Sequence, residues 1–186
     1  MKIKTATGQA NYGIILFSNK GAKYMRFEKV SYDQYASASG KQKDDMLLDE
    51  YNNIRIPRRA TVGSAGYDFF APWNFTLEPG QTVKIPSGIR VLLDNDKVLQ
   101  CYPRSGLGFK YRLQLDNCVG VIDADYSNSD NEGHIFFKMT NDSRDGKTLT
   151  INRGDAFAQG IIAQYFITDD DDANGIRNGG FGSTNN

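Results

Sequence analysis

The most constraining feature of this sequence is a series of short apolar runs that begins near residue 54. Pro, Gly, Asn and Asp separate the runs at intervals of roughly ten residues, and each run has the length of a strand. Regular turn signals between short strands are typical of an antiparallel sandwich or barrel. The pattern therefore predicts an all-β core over residues 54–168.

Individual turns and strands can be placed from the same pattern. Glu78-Pro79-Gly80-Gln81 has Pro and Gly where a type II turn requires them. Gly160 lies inside the longest apolar run, which it is expected to bend or split because glycine weakens a strand. The expected strands are residues 88–93, 98–102, 134–140, 148–151 and 156–167.

The first 53 residues follow a different pattern and contain no recognisable chemistry. Ser31 and Gln34 have the spacing of a capping box, which marks the start of a helix. We interpret residues 1–53 as a small N-terminal elaboration of the scaffold or an oligomer contact. Its expected elements are a hairpin of strands 12–17 and 24–27, a helix that ends near Ser39, and helical turns at residues 44–51.

Length and composition exclude several classes of function. A chain of 186 residues can bury one sizeable core, so residues 1–186 are predicted to form a single domain that ends in an acidic linker and a flexible C-terminal arm, residues 169–186. Lys plus Arg and Asp plus Glu number 22 each, so no basic field would attract nucleic acid or an anionic membrane. Two Cys and one His are too few for a soft-metal cluster or a disulfide framework. The absence of an apolar leader favours a cytoplasmic protein.

The chemistry of the chain is expected around residues 115–126. Asp123 and Asp125 lie two residues apart after a Val- and Ile-rich run, and in a strand this spacing points both carboxylates to one face. Two Gly-rich stretches, residues 103–108 and 179–184, contain hydroxyl or basic side chains suited to an anion. On its own, Asp-Ala-Asp-Tyr is equally well interpreted as a solvated strand end before a loop.

Five segments taken together resemble the trimeric dUTPase family, the all-β enzymes that split dUTP into dUMP and pyrophosphate. In chain order the segments are Ala65-Gly66-Tyr67-Asp68-Phe69-Phe70-Ala71, Pro103-Arg104-Ser105-Gly106-Leu107-Gly108, Gly120-Val121-Ile122-Asp123-Ala124-Asp125-Tyr126, Gly154-Asp155-Ala156-Phe157-Ala158-Gln159 and Arg177-Asn178-Gly179-Gly180-Phe181-Gly182-Ser183-Thr184. The resemblance implies a jelly-roll-like β-sandwich or barrel, a homotrimer, Mg²⁺ as the cofactor and dUTP as the substrate.

The resemblance also implies roles for the third segment. Asp123 matches the carboxylate that orients and deprotonates water for in-line attack on the α-phosphorus, which makes it the candidate base. Tyr126 matches the aromatic side chain that packs under the deoxyribose and excludes a 2′-hydroxyl. Asp125 is expected to be structural, with its carboxylate satisfied by neighbouring backbone. The groups that match uracil ligands are Asn117, the main chain of Gly120, Val121 and Ile122, and the ring of Phe181.

The remaining segments would bind the triphosphate and the metal ion. Asp68 matches the carboxylate that holds Mg²⁺ through water, an arrangement that suits an ion that dehydrates reluctantly. Guanidinium groups make paired bonds to phosphate oxygens, and a short hydroxyl beside glycine lets backbone amides approach. The residues that match phosphate ligands are Arg104, Ser105, Gly106, Gln159, Arg177, Gly182, Ser183 and Thr184.

Three positions depart from the family pattern. Ala156 stands where the fourth segment usually has Arg, and Arg177 is one residue closer to Phe181 than in many members. Residues 127–133 are longer than the usual tight turn, so an extended tip is expected after Tyr126.

Two alternatives remain open from the sequence alone. A dCTP deaminase of the same fold would need a glutamate as its acid/base, whereas this chain has Asp123 and the uracil-type Asn117. A nucleotide-binding regulatory protein would keep the fold and use residues 1–53 to contact a protein partner.

Overall fold

The computed structural model describes residues 25–179 of the chain. Within these residues it contains twelve strands, three α-helices and one 3-10 helix. The strands are β1 (Arg26–Lys29), β2 (Arg58–Arg59), β3 (Tyr67–Phe70), β4 (Phe75–Leu77), β5 (Thr82–Pro86), β6 (Ile89–Leu92), β7 (Lys97–Pro103), β8 (Leu113–Leu115), β9 (Gly120–Ile122), β10 (Phe136–Asn141), β11 (Leu149–Ile151) and β12 (Ala156–Gln164). The helices are α1 (Tyr32–Ser39), α2 (Asp45–Asn52), α3 (Ser105–Tyr111) and the 3-10 helix Ala124–Asn128.

The strands pair antiparallel in four sheets within the described part of the chain, which confirms the prediction of an all-β fold. The largest sheet has five strands in the order β2-β3-β12-β7-β9, and a second sheet has the order β5-β10-β8. Two-stranded sheets join β1 to β6 and β11 to β4. β9 is therefore an edge strand, and it places the run that precedes Asp123 at the border of the largest sheet.

Three aromatic rings pack the two larger sheets against each other. Phe69 in β3 and Phe157 in β12 both contact Phe137 in β10 edge to face, with ring centroids 5.0 and 5.1 Å apart. All three side chains are fully buried. Burial of one such ring contributes about 1.5–3 kcal/mol to the stability of a fold, and edge-to-face contact adds to this. These rings therefore hold the two larger sheets together.

The predicted turn at residues 78–81 is confirmed. Gly80 has a φ of 83°, and the Gln81 N–H donates to the carbonyl of Glu78 at 3.0 Å. Glycine is favoured at this position because a type II turn requires a positive φ there. The strands predicted at residues 88–93, 98–102, 134–140 and 148–151 correspond to β6, β7, β10 and β11.

The prediction for Gly160 needs a correction. β12 is not split there, because its register with β7 is regular through Gly160 and the irregularity lies between Ala156 and Ala158. A Cβ atom at Gly160 would lie 2.7 Å from Cδ1 of Leu99, far closer than real Cβ atoms come. Glycine at this position allows neighbouring strands to pack closely, and the strand ends at Gln164, earlier than the predicted residue 167.

The two helices predicted in the N-terminal segment are confirmed. The Ser31 hydroxyl accepts the Gln34 N–H at 3.1 Å and caps α1, and the Asp44 carboxylate accepts the Leu47 N–H at 2.8 Å and caps α2. Tyr35 of α1 is completely buried in the same core as the β-strands. Among residues 25–179, no helix is long and apolar enough to pass through a membrane.

β1 corresponds to the strand predicted at residues 24–27, but its partner among the described residues is β6, with Phe27 opposite Val91. The other strand of the predicted hairpin, residues 12–17, lies outside the described residues. β1, α1 and α2 together form an N-terminal unit, residues 26–52, that is joined to the β core through β6.

Candidate active site

The stretch that carries Asp123 begins with a tight turn between β8 and β9. The Cys118 N–H donates to the carbonyl of Leu115 at 2.9 Å, and Cys118 has a φ of 63°. β9 ends at Ile122, Asp123 has an extended backbone, and Asp125 lies in the 3-10 helix that follows. The prediction that both carboxylates share one face of a strand is therefore wrong, because the strand ends before either residue.

Asp123 and Asp125 nevertheless converge on one cation, Arg177. Its Nε donates to Oδ1 of Asp125 at 2.8 Å, and its Nη2 donates to Oδ2 of Asp123. The expectation that neighbouring backbone satisfies Asp125 is wrong, because a side chain 52 positions later is its partner. Arg177, expected at the γ-phosphate, is bonded here to two carboxylates of its own chain, which leaves one negative charge in excess.

A cavity of about 300 Å³ lies beside this cluster. A site of this size is at the lower end of the range for small-molecule pockets. β9 forms one wall, and as an edge strand it has peptide groups that face away from β7. The predicted site residues that line the cavity are Asn117, Gly120, Val121, Ile122, Tyr126 and Arg177.

Tyr126 is fixed at the wall of this cavity. Its hydroxyl donates to the carbonyl of His134 at 3.0 Å and accepts a hydrogen bond from Nδ2 of Asn131 at 2.8 Å. The side chain is buried, and burial raises the pKa of Tyr126 above its ordinary value. The guanidinium of Arg177 lies 5.9 Å from the centre of the ring. With its hydroxyl held by two hydrogen bonds, the ring lines the cavity in a fixed position.

The extended tip predicted after Tyr126 is present as residues 127–133, between the 3-10 helix and β10. Glu132 and Gly133 both have a positive φ, 59° and 72°. A Cβ atom at Gly133 would lie 2.6 Å from Cα of Ser127, so only glycine allows this close approach of the tip to the 3-10 helix.

The predicted phosphate and metal residues form a second cluster on the largest sheet. Asp68 lies opposite Gln159, and Gln159 lies opposite Tyr102, in one row across β3, β12 and β7. The Nε of Arg104 lies 3.3 Å from Oδ1 of Asp68. A cavity of about 690 Å³ is lined by Arg104, Ser105 and Gln159, so these residues are brought together.

The segment after Arg104 is a helix that the sequence analysis did not predict. Arg104 occupies the N-cap position of α3, and Ser105 and Gly106 form its first turn. The helix ends at Tyr111 and is capped by Arg112, which has a φ of 51° and whose N–H bonds to the carbonyls of Leu107 and Gly108. The side chain of Arg104 thus leaves the sheet where β7 ends, toward Asp68.

The two clusters are far apart within one chain. Three strand spacings separate β9 from β3, which is roughly 14 Å, and the row that contains Asp68 is displaced by about 13 Å along β7 from the position opposite Asp123. Counted along the sheet, the backbone positions of Asp123 and Asp68 are therefore on the order of 20 Å apart. One chain does not bring them within reach of the same phosphate.

The fit of a divalent metal ion can be tested on Asp68. Its side chain is 16% exposed, and Arg104 neutralises it in part. Within residues 25–179, no group of three or more His, Cys, Asp and Glu residues could hold a metal ion. A single carboxylate fits Mg²⁺ only when water and substrate oxygens complete the coordination, which is how this ion commonly binds beside phosphates.

Some predicted residues lie outside the described part of the chain, and some functional candidates were missed. Phe181, Gly182, Ser183 and Thr184 are beyond residue 179, so their roles stay predictions. The missed candidates, Asn131 and Glu132, hold the tip and Tyr126 in place. No local pattern pointed to Glu132, because its partner Ser31 lies 101 positions away, and the nearby partner of Asn131, Tyr126, was assigned a role at the sugar.

The comparisons with known proteins agree with the geometry. A family model described as dUTPase matches residues 52–185. The deoxyuridine 5'-triphosphate nucleotidohydrolase of Lactococcus lactis subsp. lactis (strain IL1403) is 39% identical over 143 residues, which covers 74% of this chain and 94% of that protein.

Two solved structures extend the comparison. The crystal structure of dUTPase from Streptococcus mutans has a TM-score of 0.59 and 31% identity, and covers 77% of this chain and 98% of that one. A dUTPase mutant from phage phi11 of S. aureus, described with a structural Mg(II) ion, has a TM-score of 0.57 and 21% identity, with coverages of 80% and 95%. At this identity the phage protein shows the fold alone.

Proposed function

Because this chain belongs to the dUTPase family and is a jelly-roll enzyme that hydrolyses dUTP to dUMP and pyrophosphate, we propose that Asp123 is the base that activates the attacking water. The dCTP deaminase alternative is not favoured, since both the family match and the curated relatives are dUTP nucleotidohydrolases.

The observation that carries the base assignment is the position of Asp123. Asp123 directly follows Ile122, which lines the 300 Å³ cavity. It also bonds to Arg177, which lines the same cavity. About half of its side chain is exposed, so a water molecule can reach it. In the proposed step the carboxylate accepts the proton of the water, the water oxygen bonds to the α-phosphorus, and the bond to the pyrophosphate oxygen breaks.

Arg177 must release Asp123 before this step. The triphosphate is the natural competitor for the guanidinium, because phosphate oxygens bind Arg in the same paired geometry as carboxylates. The transfer of Arg177 from the carboxylates to the γ-phosphate would both bind the substrate and free the base.

The nucleoside would occupy the cavity beside β9. Its edge-strand peptide groups and the amide of Asn117 offer the donors and acceptors that select uracil over cytosine. The anchored ring of Tyr126 would pack under the deoxyribose and leave no space for a 2′-hydroxyl. Phe181 would cover the base from the C-terminal arm.

The separation of the two clusters supports a homotrimer. A reaction centre needs Asp123 and the cluster of Asp68, Arg104 and Gln159 around one triphosphate, yet within one chain they are on the order of 20 Å apart. Neighbouring copies would bring the base of one chain to the phosphate cluster of the next.

Mg²⁺ is proposed as the cofactor, held by Asp68 through water, with Gln159 and Arg104 beside it. When bound, the ion would neutralise charge on the triphosphate. The phage phi11 protein is described with a structural Mg(II) ion, so a protein of this fold can hold this metal. A cytoplasmic location is also proposed, and two free thiols, buried Cys101 and exposed Cys118, suit a reducing compartment.

One assay tests the activity as a whole. The purified protein is incubated with each deoxynucleoside triphosphate and Mg²⁺, and the release of pyrophosphate and of ammonia is measured. Pyrophosphate from dUTP alone is expected. Ammonia from dCTP would instead identify a deaminase, and the absence of both products would leave a nucleotide-binding regulator.

A further inference from the structure

Glu132 bonds the extended tip to the N-terminal unit. The main-chain N–H of Ser31 donates to Oε2 of Glu132 at 2.7 Å, and the Ser31 hydroxyl donates to Oε1 of the same carboxylate at 2.5 Å. The same hydroxyl accepts the Gln34 N–H, so Glu132 takes part in the N-cap of α1. The start of a helix in the N-terminal unit is thereby bonded to the tip.

The carboxylate of Glu132 is held in its charged form. Partial burial raises the pKa of Glu132, but the two hydrogen bonds from Ser31, together with the charges of Arg90 and His134, keep the pKa below its ordinary value. Charge-assisted hydrogen bonds are stronger than neutral ones. They also offset the backbone of Glu132, whose φ of 59° is unfavourable for a residue with a Cβ atom.

Asn131, the residue before Glu132, connects the tip to Tyr126. Nδ2 of Asn131 donates to the Tyr126 hydroxyl at 2.8 Å, and Oδ1 of Asn131 accepts the Gly133 N–H at 3.1 Å. Asn131 thus connects the backbone that carries Glu132 to the buried hydroxyl of Tyr126. If the tip moved away, the ring would lose one of its two hydrogen bonds.

The N-terminal unit also supports the other anchor of Tyr126. Tyr35 of α1 lies 6.2 Å, ring to ring, from His134, whose carbonyl accepts the Tyr126 hydroxyl. Nε2 of His134 accepts the Gly88 N–H at 2.8 Å, and the Gly88 carbonyl accepts the Val30 N–H at 3.0 Å. Residues 30–35 therefore contact Glu132, which adjoins one anchor of Tyr126, and His134, which supplies the other.

We propose that the N-terminal unit is a brace for the sugar site and that Glu132 is the positioning residue through which it acts on Tyr126. This inference rests on the proposed function, in which Tyr126 excludes the 2′-hydroxyl. It gives the N-terminal unit a part in the discrimination between dUTP and UTP, although no residue of the unit lines the 300 Å³ cavity.

Glu132→Ala and Glu132→Gln test the link at the tip, with the ratio of kcat/KM for dUTP to kcat/KM for UTP as the readout. Both variants keep a Cβ at the same positive φ, so backbone strain is matched. Gln still accepts the Ser31 N–H and bonds to its hydroxyl, whereas Ala does neither. We expect the ratio to fall roughly three- to tenfold in Glu132→Ala, the effect of about one lost hydrogen bond, and to recover in Glu132→Gln.

Ser31→Ala and Asp44→Ala test the brace from the other side. Each removes one N-cap of the N-terminal unit and should lower Tm by a similar amount, but only Ser31 contacts Glu132. We expect only Ser31→Ala to lower the dUTP/UTP ratio. This pair of variants tests the brace even if Glu132→Ala does not fold.

Tyr126→Ala distinguishes a failure of the brace from a failure of the role assigned to Tyr126. If Tyr126→Ala loses discrimination and the Ser31 and Glu132 variants do not, the brace is wrong and the sugar site stands. If Tyr126→Ala keeps discrimination, the assigned role of Tyr126 fails and the inference fails with it. Equal losses in Ser31→Ala and Asp44→Ala would show general destabilisation and overturn the brace.

Discussion

The guanidinium of Arg177 bonds to Asp123, so the proposed base is paired with a cation of its own chain. The ion pair occupies a carboxylate oxygen that would otherwise accept the proton of the water. If the triphosphate of the substrate draws Arg177 away, Asp123 becomes free to act as the base only when substrate is bound.

Asp123→Asn should abolish most of the turnover and leave nucleotide binding nearly unchanged, because an amide of the same volume does not accept a proton. General-base losses are on the order of a hundredfold to ten-thousandfold. Asp125→Asn is the matched control, since it also removes one partner of Arg177 but leaves Asp123 intact. Single-turnover rates and binding of a non-hydrolysable dUTP analogue measure both effects, and wild-type turnover in Asp123→Asn would refute the assignment.

Activity should reappear when Asp123→Asn and Arg104→Ala chains are combined in mixed oligomers. Each variant lacks one of the two clusters, and a site built from neighbouring chains can combine the intact base of one with the intact phosphate cluster of the other. Co-expression with two affinity tags isolates the mixed species. Mixed oligomers as inactive as either parent would mean that each chain builds its own site.

Tyr126→Ala should admit UTP, because the bulk of the ring is what excludes the ribose hydroxyl. Tyr126→Phe keeps that bulk and loses the bonds to His134 and Asn131, so it should retain more discrimination than the Ala variant. Steady-state kinetics with dUTP and UTP give the ratio. Unchanged discrimination in Tyr126→Ala would assign the role to another residue.

Gly66→Ala should lower kcat/KM with little change in Tm. A Cβ atom at Gly66 would lie 2.7 Å from Oε1 of Gln159, so the flexible amide must move away from its place beside Asp68. Loss of a hydrogen bond from the Gln159 amide to a charged phosphate is expected to lower kcat/KM roughly tenfold. Gly63→Ala is the control, because nothing lies within 4 Å of its Cβ position. Equal kinetics in the two variants would argue against a role for Gln159.

Acid should destabilise the fold through His134. Burial lowers the pKa of His134 from its ordinary 6.5 to about 4, and its buried Nδ1 has no hydrogen-bond partner among residues 25–179. Between these values the unfolded chain binds the proton and the folded chain does not, so stability falls as pH drops from about 6.5 to 4, by up to about 3 kcal/mol.

Urea unfolding across this pH range measures the loss. His134→Gln does not titrate and should show a flatter dependence on pH, even if it is less stable throughout. Parallel curves for the wild type and the variant would assign the acid sensitivity to other groups.

Local features of the fold could be predicted because their causes lie within a few residues. Ser31 and Gln34 mark the start of α1, and Pro79 and Gly80 mark a turn, each through bonds between near neighbours in the chain. α3 could not be predicted, since Gly106 and Gly108 each lower helix propensity by about 1 kcal/mol.

The candidate site could be predicted as a set of residues but not as an arrangement. The resemblance supplied Asp123, Asn117 and Tyr126, and the structure places them around one cavity or beside it. The bonds from Arg177 to Asp125 and from Ser31 to Glu132 join residues 52 and 101 positions apart. Contacts of that range depend on how the sheets pack, which no local pattern records.

The two cysteines differ in a way that offers a chemical handle on the site. Burial raises the pKa of the Cys101 thiol to about 12, whereas Cys118 is exposed in the turn just before β9. A maleimide dye at neutral pH should therefore attach to Cys118 alone, next to Asn117 and the cavity wall. The wild-type chain can then be labelled without an engineered cysteine, and the fluorescence of the dye would report the binding of nucleotide in real time.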